Sequence, residues 1–312
     1  MKKLMIRIFV CFIPHAKMRR LLRQKLLDVL VYYPDRLRKY KQIKDLWNSK
    51  SGGEKLLPGR FDEYDLVFAV GATCPMTWEL IMHKLRTFSN PFDWTGGMPP
   101  NNWMTEPDVW RDTRFITKIK ALCNDFSNFF NRNDIKMVCH DGLELYHFVC
   151  NIRTRVRFIH LFPMDKSIES VWDDVAIKIK RRGDRLIKEI NSSHRVLICW
   201  AHRIMGHKDW LDDVVSDDDI KRAVKMLRKK FPKTDIDLVF FEHDGTKREF
   251  EYNKIEVCKG AYRIQSNHYI VTDDYKVVCN KVLFENGEVI HPESLVVAEA
   301  LDNIKLSNKI KC

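Results

Sequence analysis

Cysteine is too sparse in this 312-residue chain for a disulfide scaffold, and several motifs that identify enzyme classes are missing. The nine cysteines form no CxxC pair, and their odd number without regular spacing indicates reduced thiols in a cytoplasmic protein, not a disulfide framework. Neither GxxxxGKS/T nor GxGxxG occurs, so a P-loop enzyme or a dinucleotide-binding dehydrogenase finds no support. No HExxH or HxxxH pair marks a metal site. We expect neither a metal nor another cofactor.

Positive charge is abundant only at the start of the chain. The first 50 residues hold 14 Lys and Arg against three acids, which accounts for almost all of the net charge of +12. The remaining body is close to neutral, so a basic body that grips nucleic acid is not indicated. We expect no nucleic-acid partner, and we look for a partner of the arm alone.

The basic arm also lacks an apolar run long enough to cross a bilayer. Its first run, residues 4–13, is about half the roughly 20 residues that a transmembrane helix needs. Arg7 interrupts this run, and no small-residue cleavage site follows it, which argues against a secretory signal. Apolar residues flanked by Lys and Arg suit a helix in the headgroup region of an anionic inner membrane, so we expect peripheral contact through residues 1–48. A helical hairpin packed on the body fits the same pattern.

After a polar linker the body alternates between strand and helix patterns. Short apolar runs predict strands at 64–70, 195–200 and 236–241. Segments with 3.6-residue periodicity predict helices at 167–190 and 217–230. Such alternation predicts an α/β fold, a mostly parallel central sheet with helices on both faces, preceded by the basic helical arm. We divide the chain into an arm (1–50), a catalytic-type domain (51–250) and a C-terminal extension (251–312).

One cysteine lies where this fold class places its sites. Val70-Gly71-Ala72-Thr73-Cys74-Pro75 joins the first strand to a helix, and sites in α/β sheets lie beyond the carboxyl ends of strands. A helix N-terminus favours a thiolate and can hold an oxyanion. A buried, unreactive thiol is the alternative for Cys74.

A thiol nucleophile needs a base, and several histidines follow predicted strands. His160 lies near the end of the strand at 157–162. His140, beside Asp141, follows the strand at 135–139, and His202 and His207 follow the strand at 195–200. Each of these is also compatible with a structural or surface role.

Two blocks of sequence are specific enough to suggest a family. Residues 65–74, ending in Gly71-Ala72-Thr73-Cys74, and residues 85–94, Leu-Arg-Thr-Phe-Ser-Asn-Pro-Phe-Asp-Trp, resemble a bacterial family of papain-like cysteine peptidases, formerly catalogued as a domain of unknown function. The strand at 158–162 with His160 and the pair Arg181-Arg182 continue the likeness. The resemblance implies that Cys74 and His160 are catalytic and offers a papain-like α+β fold as the alternative. Within its second block we assign Asp93 and Trp94 to substrate binding, and Asp93 is also as well suited to holding the loop as to orienting the histidine.

The expected function follows from this resemblance. We expect a cysteine-dependent, peptidase-like hydrolase or an acyl transferase, either of which uses a Cys-His pair. Phe12-Ile13-Pro14 and the basic residues after it are similar to N-terminal segments of bacterial enzymes that build capsules and lipopolysaccharide, which suggests a surface-polysaccharide setting. The alternative is a transferase or accessory glycan-binding protein with a structural Cys74, in which Trp94, Trp103 and Trp110 grip a sugar.

Overall fold

The computed structural model describes most of the body and none of the arm. The described residues are 63–71, 74–93, 95–96, 112–140, 146–203, 215–243, 251–267, 282–283, 289–290, 300–301 and 304–307. The chain divides between Lys55 and Leu56, and all of these residues belong to the second unit. The predicted arm (1–50), Trp94 and the other tryptophans of the loop lie outside the described residues.

A five-stranded, mostly parallel sheet forms the centre of the described part, which confirms the α/β content expected from the sequence. Its first four strands are parallel neighbours, and the last is an antiparallel edge. In spatial order the strands are β2 (Leu66–Ala69), β7 (Arg195–Arg203), β8 (Asp235–His243), β10 (Ala261–Asn267) and β9 (Glu251–Cys258).

The apolar character of these strands explains their place. All four residues of β2 are buried, and the run Val196 to Trp200 in β7 is buried as well. Strands that are covered on both faces need such continuous apolar runs, whereas strands with one wet face alternate. Strands β9 and β10 come from the predicted C-terminal extension, and β10 pairs directly with β8 of the predicted domain.

A second sheet of four antiparallel strands lies between β2 and β7 in the sequence. Its spatial order is β3 (Thr95–Gly96), β6 (Val156–Pro163), β5 (Tyr146–Asn151) and β4 (Ile135–His140). From the alternation of strands and helices we expected one central sheet, so the sequence did not predict that these strands form a sheet of their own. Because only four residues join β5 to β6, the two strands cannot be parallel, since a parallel pair needs a crossover of a dozen residues or more.

In the described residues four α-helices accompany the sheets, and three of them begin at a side-chain cap. They are α1 (Cys74–Met82), α2 (Arg114–Cys123), α3 (Ile168–Ser192) and α4 (Asp217–Lys230). Thr113, Ser167 and Ser216 each accept a hydrogen bond from a backbone N–H of the first turn. None of the helices in the described part of the chain is long and apolar enough to cross a membrane.

Helix α2 packs on the central sheet through Phe115. The ring of Phe115 lies edge-on to those of Trp200 on β7 and Phe240 on β8, with ring centroids 5.2 Å and 4.8 Å away. Helices α2 and α4 contact one another. This packing brings the residues of α2 to the carboxyl end of β2, where the candidate site lies. Two short pairs complete the described strands, β1 (Glu63–Tyr64) with β13 (Lys305–Leu306) and β11 (Val282–Leu283) with β12 (Val289–Ile290).

Candidate active site

The turn that follows β2 leads directly into a helix that begins at Cys74. Val70 still pairs with the central sheet, since its N–H donates to the carbonyl of Cys199 at 2.9 Å. Gly71 follows, and α1 begins three residues later at Cys74. The candidate nucleophile is therefore the first residue of a nine-residue helix beyond the carboxyl end of a parallel strand. Backbone N–H groups at such a position lower the pKa of a thiol and are available to an oxyanion.

A buried lysine fixes this turn. Lys118 of α2 is only 1% exposed, and its ammonium donates to the carbonyls of Val70 at 3.0 Å and Gly71 at 2.6 Å. The same nitrogen donates to the hydroxyl of Thr95 on β3 at 2.9 Å. Charged donors make stronger hydrogen bonds than neutral ones, so one side chain holds the end of β2 against the second sheet.

Sequence reasoning missed Lys118, although a signal was present. Phe115, Ile119 and Leu122 are buried on one face of α2. Lys118 lies three residues after Phe115 and four before Leu122. That spacing puts a lysine on the apolar face of the helix. A lysine in such a position must be paired or hydrogen-bonded, because an unsatisfied buried ammonium is costly.

His160 lies in a bulge of β6. In the pairing of β6 with β5, Phe158 is opposite Val149 and Phe162 is opposite His147, so three residues of β6 face one of β5. His160, in the middle of the three, has a φ of 62°. The other described non-glycine residues with positive φ lie in turns. Left-handed backbone is unfavourable for a histidine within a strand, and bulges of this kind re-aim side chains beside active sites.

The imidazole of His160 is exposed and packs on an aromatic ring. Its ring lies 5.0 Å from the ring of Tyr146 on β5, in an edge-on arrangement. A base must be accessible to a substrate, and exposure meets that requirement. Tyr146 restricts the orientation of the ring.

The two candidate catalytic residues are associated with different sheets, and Lys118 connects these sheets. Helix α1 contacts β2 and β7 of the central sheet, whereas His160 belongs to the antiparallel sheet. Thr95, which accepts from Lys118, pairs with Phe158, two residues before His160. The carbonyl of Gly71 and the hydroxyl of Thr95 thus lie within hydrogen-bond distance of one nitrogen. The pairing of Cys74 with His160 itself stays a prediction.

Asp93 is buried at 1% exposure, and its carboxylate holds the loop between α1 and β3. Oδ2 accepts from Arg86 through Nε at 3.1 Å and Nη2 at 2.5 Å, and from the backbone N–H of Asn90 at 2.9 Å. Oδ1 accepts from the side chain of Asn90 at 2.9 Å. Burial raises the pKa of Asp93, and Arg86 opposes that rise. The carbonyl of Asp93 accepts from the hydroxyl of Thr77 in α1, which ties the loop to the helix.

These contacts give Arg86, Asn90 and Asp93 a structural role in the loop. Within the described residues the partners of the Asp93 carboxylate are Arg86 and Asn90, and His160 is not among them. The assignment of Asp93 to substrate binding stays a prediction, and that of Trp94 falls outside the described residues. The side chain of His140 and the residues 204–214, which include His207, also lie outside them.

The four cysteines whose side chains are described are unlike an activated thiol. Burial raises the pKa of Cys123 to about 11 and that of Cys150 to about 12, and it raises the pKa values of Cys199 and Cys258 as well. All four are free thiols. In the described stretches of the chain, no group of three or more His, Cys, Asp or Glu side chains is arranged to hold a metal ion.

Comparison with known proteins gives no relative for this chain: no family model, no curated protein and no solved structure matches it. The resemblance to papain-like peptidases therefore depends on the sequence blocks alone.

Proposed function

We propose that the protein is a cysteine-dependent hydrolase or acyl transferase in which Cys74 is the nucleophile and His160 the general base. The observation that carries the proposal is the left-handed backbone of His160 inside a strand bulge, because strain of this kind persists where a side chain must be aimed. Support also comes from the start of α1 at Cys74 and from the single lysine that joins the two segments.

The proposed reaction begins when His160 takes the thiol proton of Cys74. The sulfur then bonds to the carbonyl carbon of the substrate, and backbone N–H groups at the start of α1 stabilise the oxyanion. The bond to the leaving group breaks, and that group departs with the proton from His160. Water or an acceptor hydroxyl then gives its proton to His160 and attacks the thioester, which releases the acyl product and the Cys74 thiolate.

The setting and the finer architecture belong to the same proposal. We infer helices on both faces of the central sheet and a basic helical arm, with the protein at the cytoplasmic face of the inner membrane through residues 1–48. The surface-polysaccharide context follows only from the similarity of the arm to enzymes of that kind. The substrate class on this proposal is an ester, thioester or amide, since only these offer the required carbonyl.

The proposal is tested by the pH dependence of alkylation at Cys74, followed by mass spectrometry in the full chain. We expect the midpoint to lie below the ordinary thiol pKa of about 8.5 and to rise toward it in His160→Gln. His147→Gln is the matched control, because His147 is another histidine of the second sheet and contacts the carbonyl of Lys166. A midpoint near 8.5 that His160→Gln leaves unchanged contradicts the proposal.

A further inference from the structure

Four arginines from two separate segments of the chain come together beside the loop that holds Asp93. Arg86 follows α1, and Arg181, Arg182 and Arg185 lie in the middle of α3. The half-buried Arg182 interacts electrostatically with all three of the others, and burial together with this repulsion lowers its pKa. We call these four residues the arginine cluster.

Among the described residues, the carboxylate that contacts the arginine cluster is that of Asp93, and its hydrogen bonds are already made. Asp93 accepts from Arg86 and Asn90, and it attracts Arg182 without bonding to it. Asp184, which lies on α3 among the arginines, pairs with Lys180 at 2.6 Å. No carboxylate in the described part of the chain lies within ion-pair distance of the other three guanidinium groups. The cluster therefore carries an excess of about three positive charges.

Contacts with the Asp93 loop hold the guanidinium groups of Arg86 and Arg185 in place. Arg86 donates to the Ser89 hydroxyl at 2.7 Å as well as to Asp93, which leaves its guanidinium little freedom. The guanidinium of Arg185 lies over the ring of Phe88, 5.6 Å from its centroid. Ser89 and Phe88 both belong to the Asp93 loop, so one loop positions cations from both segments.

Close helix packing fixes the position of α3 nearby. Gly183, in the same turn as Arg182, lies so near Phe126 that a Cβ on this glycine would be 2.9 Å from the ring. A larger residue would push α3 outward. The arrangement of like charges is thus built into the packing, and an anion bound there relieves the repulsion among the arginines.

Arginine suits one class of anion in particular. Its planar guanidinium makes two parallel hydrogen bonds to phosphate oxygens, a geometry that lysine does not offer. An excess of about three charges matches a diphosphate better than a single carboxylate.

We propose that the arginine cluster binds a ligand that carries a diphosphate group. The inference goes beyond the proposed function and does not depend on the chemistry of Cys74. The hydrogen bond from Thr77 to the Asp93 carbonyl places the cluster's loop against the first turns of α1. Its source is either a soluble compound or a membrane lipid.

The test is calorimetric titration of the full chain with inorganic pyrophosphate at fixed ionic strength, alongside flotation with phosphatidylcholine vesicles that contain dioleoylglycerol diphosphate. We expect Arg181→Gln and Arg185→Gln, both exposed in the free protein, each to weaken pyrophosphate binding by about tenfold. Arg185→Lys keeps the charge but loses the fork, so it should recover only part of the affinity. Lys225→Gln on α4 is the matched control, because it removes one exposed positive charge elsewhere.

The outcomes separate the sources and the alternatives. Binding of pyrophosphate that the arginine variants lose and Lys225→Gln keeps supports a soluble ligand. Binding confined to the vesicles, with the same pattern among variants, supports a lipid source. Equal weakening by Lys225→Gln shows general attraction of anions and overturns the proposal, as does the absence of binding to either probe. Urea unfolding of each variant checks that the fold is retained. Because Cys74 takes no part in these measurements, failure here leaves the proposed hydrolase intact.

Discussion

Replacing Lys118 with methionine removes the charge that fixes the turn before Cys74 while keeping a side chain of similar length. Three hydrogen bonds from the ammonium are lost, to Val70, Gly71 and Thr95. At about 1.5–3 kcal/mol for each bond to a charged group, the gross loss is roughly 5–9 kcal/mol. Because the variant does not bury an ammonium, it avoids a desolvation penalty of several kcal/mol. We expect a net loss of about 2–4 kcal/mol in the free energy of unfolding.

The sign of this balance follows from the nature of the acceptors. Two of them are backbone carbonyls, so no compensating substitution accompanies the change and they stay buried without their donor. Urea unfolding followed by circular dichroism measures the loss. Lys120→Met, two residues along on the same helix, is the control: Lys120 is exposed and pairs with Asp112, so its loss should cost about 1 kcal/mol or less. Equal stability of Lys118→Met and wild type would refute the reasoning, since desolvation of the ammonium would then outweigh its bonds.

Three further predictions follow from described contacts. Asp112 pairs with Lys120 and Arg222, which together outweigh its partial burial and lower its pKa. Asp112→Asn should therefore lower the free energy of unfolding by about 1 kcal/mol at neutral pH. Unfolding curves in acid should show this loss shrinking as the pH falls below 3.8, the pKa of Asp112 in the unfolded chain. A loss that grows in acid contradicts the assignment. At pH 7 iodoacetamide should spare Cys123, Cys150, Cys199 and Cys258 in native protein, because burial keeps these thiols protonated, and mass spectrometry that finds any of them modified early disproves it. Gly183→Ala should destabilise by about 1–3 kcal/mol despite the better helix propensity of alanine, since its Cβ meets the Phe126 ring; a higher unfolding midpoint would show that the ring yields.

The elements that the sequence predicted well are those whose signals are local. The helix expected at 217–230 is α4 with the same bounds, and its start carries local signals: the cap Ser216 and the acids Asp217, Asp218 and Asp219 of the first turn. The apolar run of β2 ends at a glycine and predicts a buried strand, as observed. Caps and apolar runs are determined by residues within one or two turns, so a single sequence contains them.

Sheet membership and the contacts of the site depend on distant residues, and here the sequence was less informative. Strand β5 was not predicted, because its pairing is irregular around Phe148 and its last three residues are all buried, which removes the period of two. Separating the antiparallel sheet from the central one required knowing that only residues 152–155 connect β5 to β6. The approach of Arg86 to α3 depends on packing between segments that are far apart in the chain, so it had no local signal.

The order of the strands in the central sheet constrains how the chain is made. Among the described strands, β2 pairs with β7 alone, and the backbone N–H of Arg195 donates to the Asp65 carboxylate across 130 positions of sequence. At roughly 5–20 residues per second, on the order of ten seconds of synthesis separate the two strands. For that interval an entirely apolar strand has left the ribosome before its neighbour exists, and transiently exposed edges of this kind promote aggregation. Protection of the nascent chain over this interval is therefore a requirement of the topology itself.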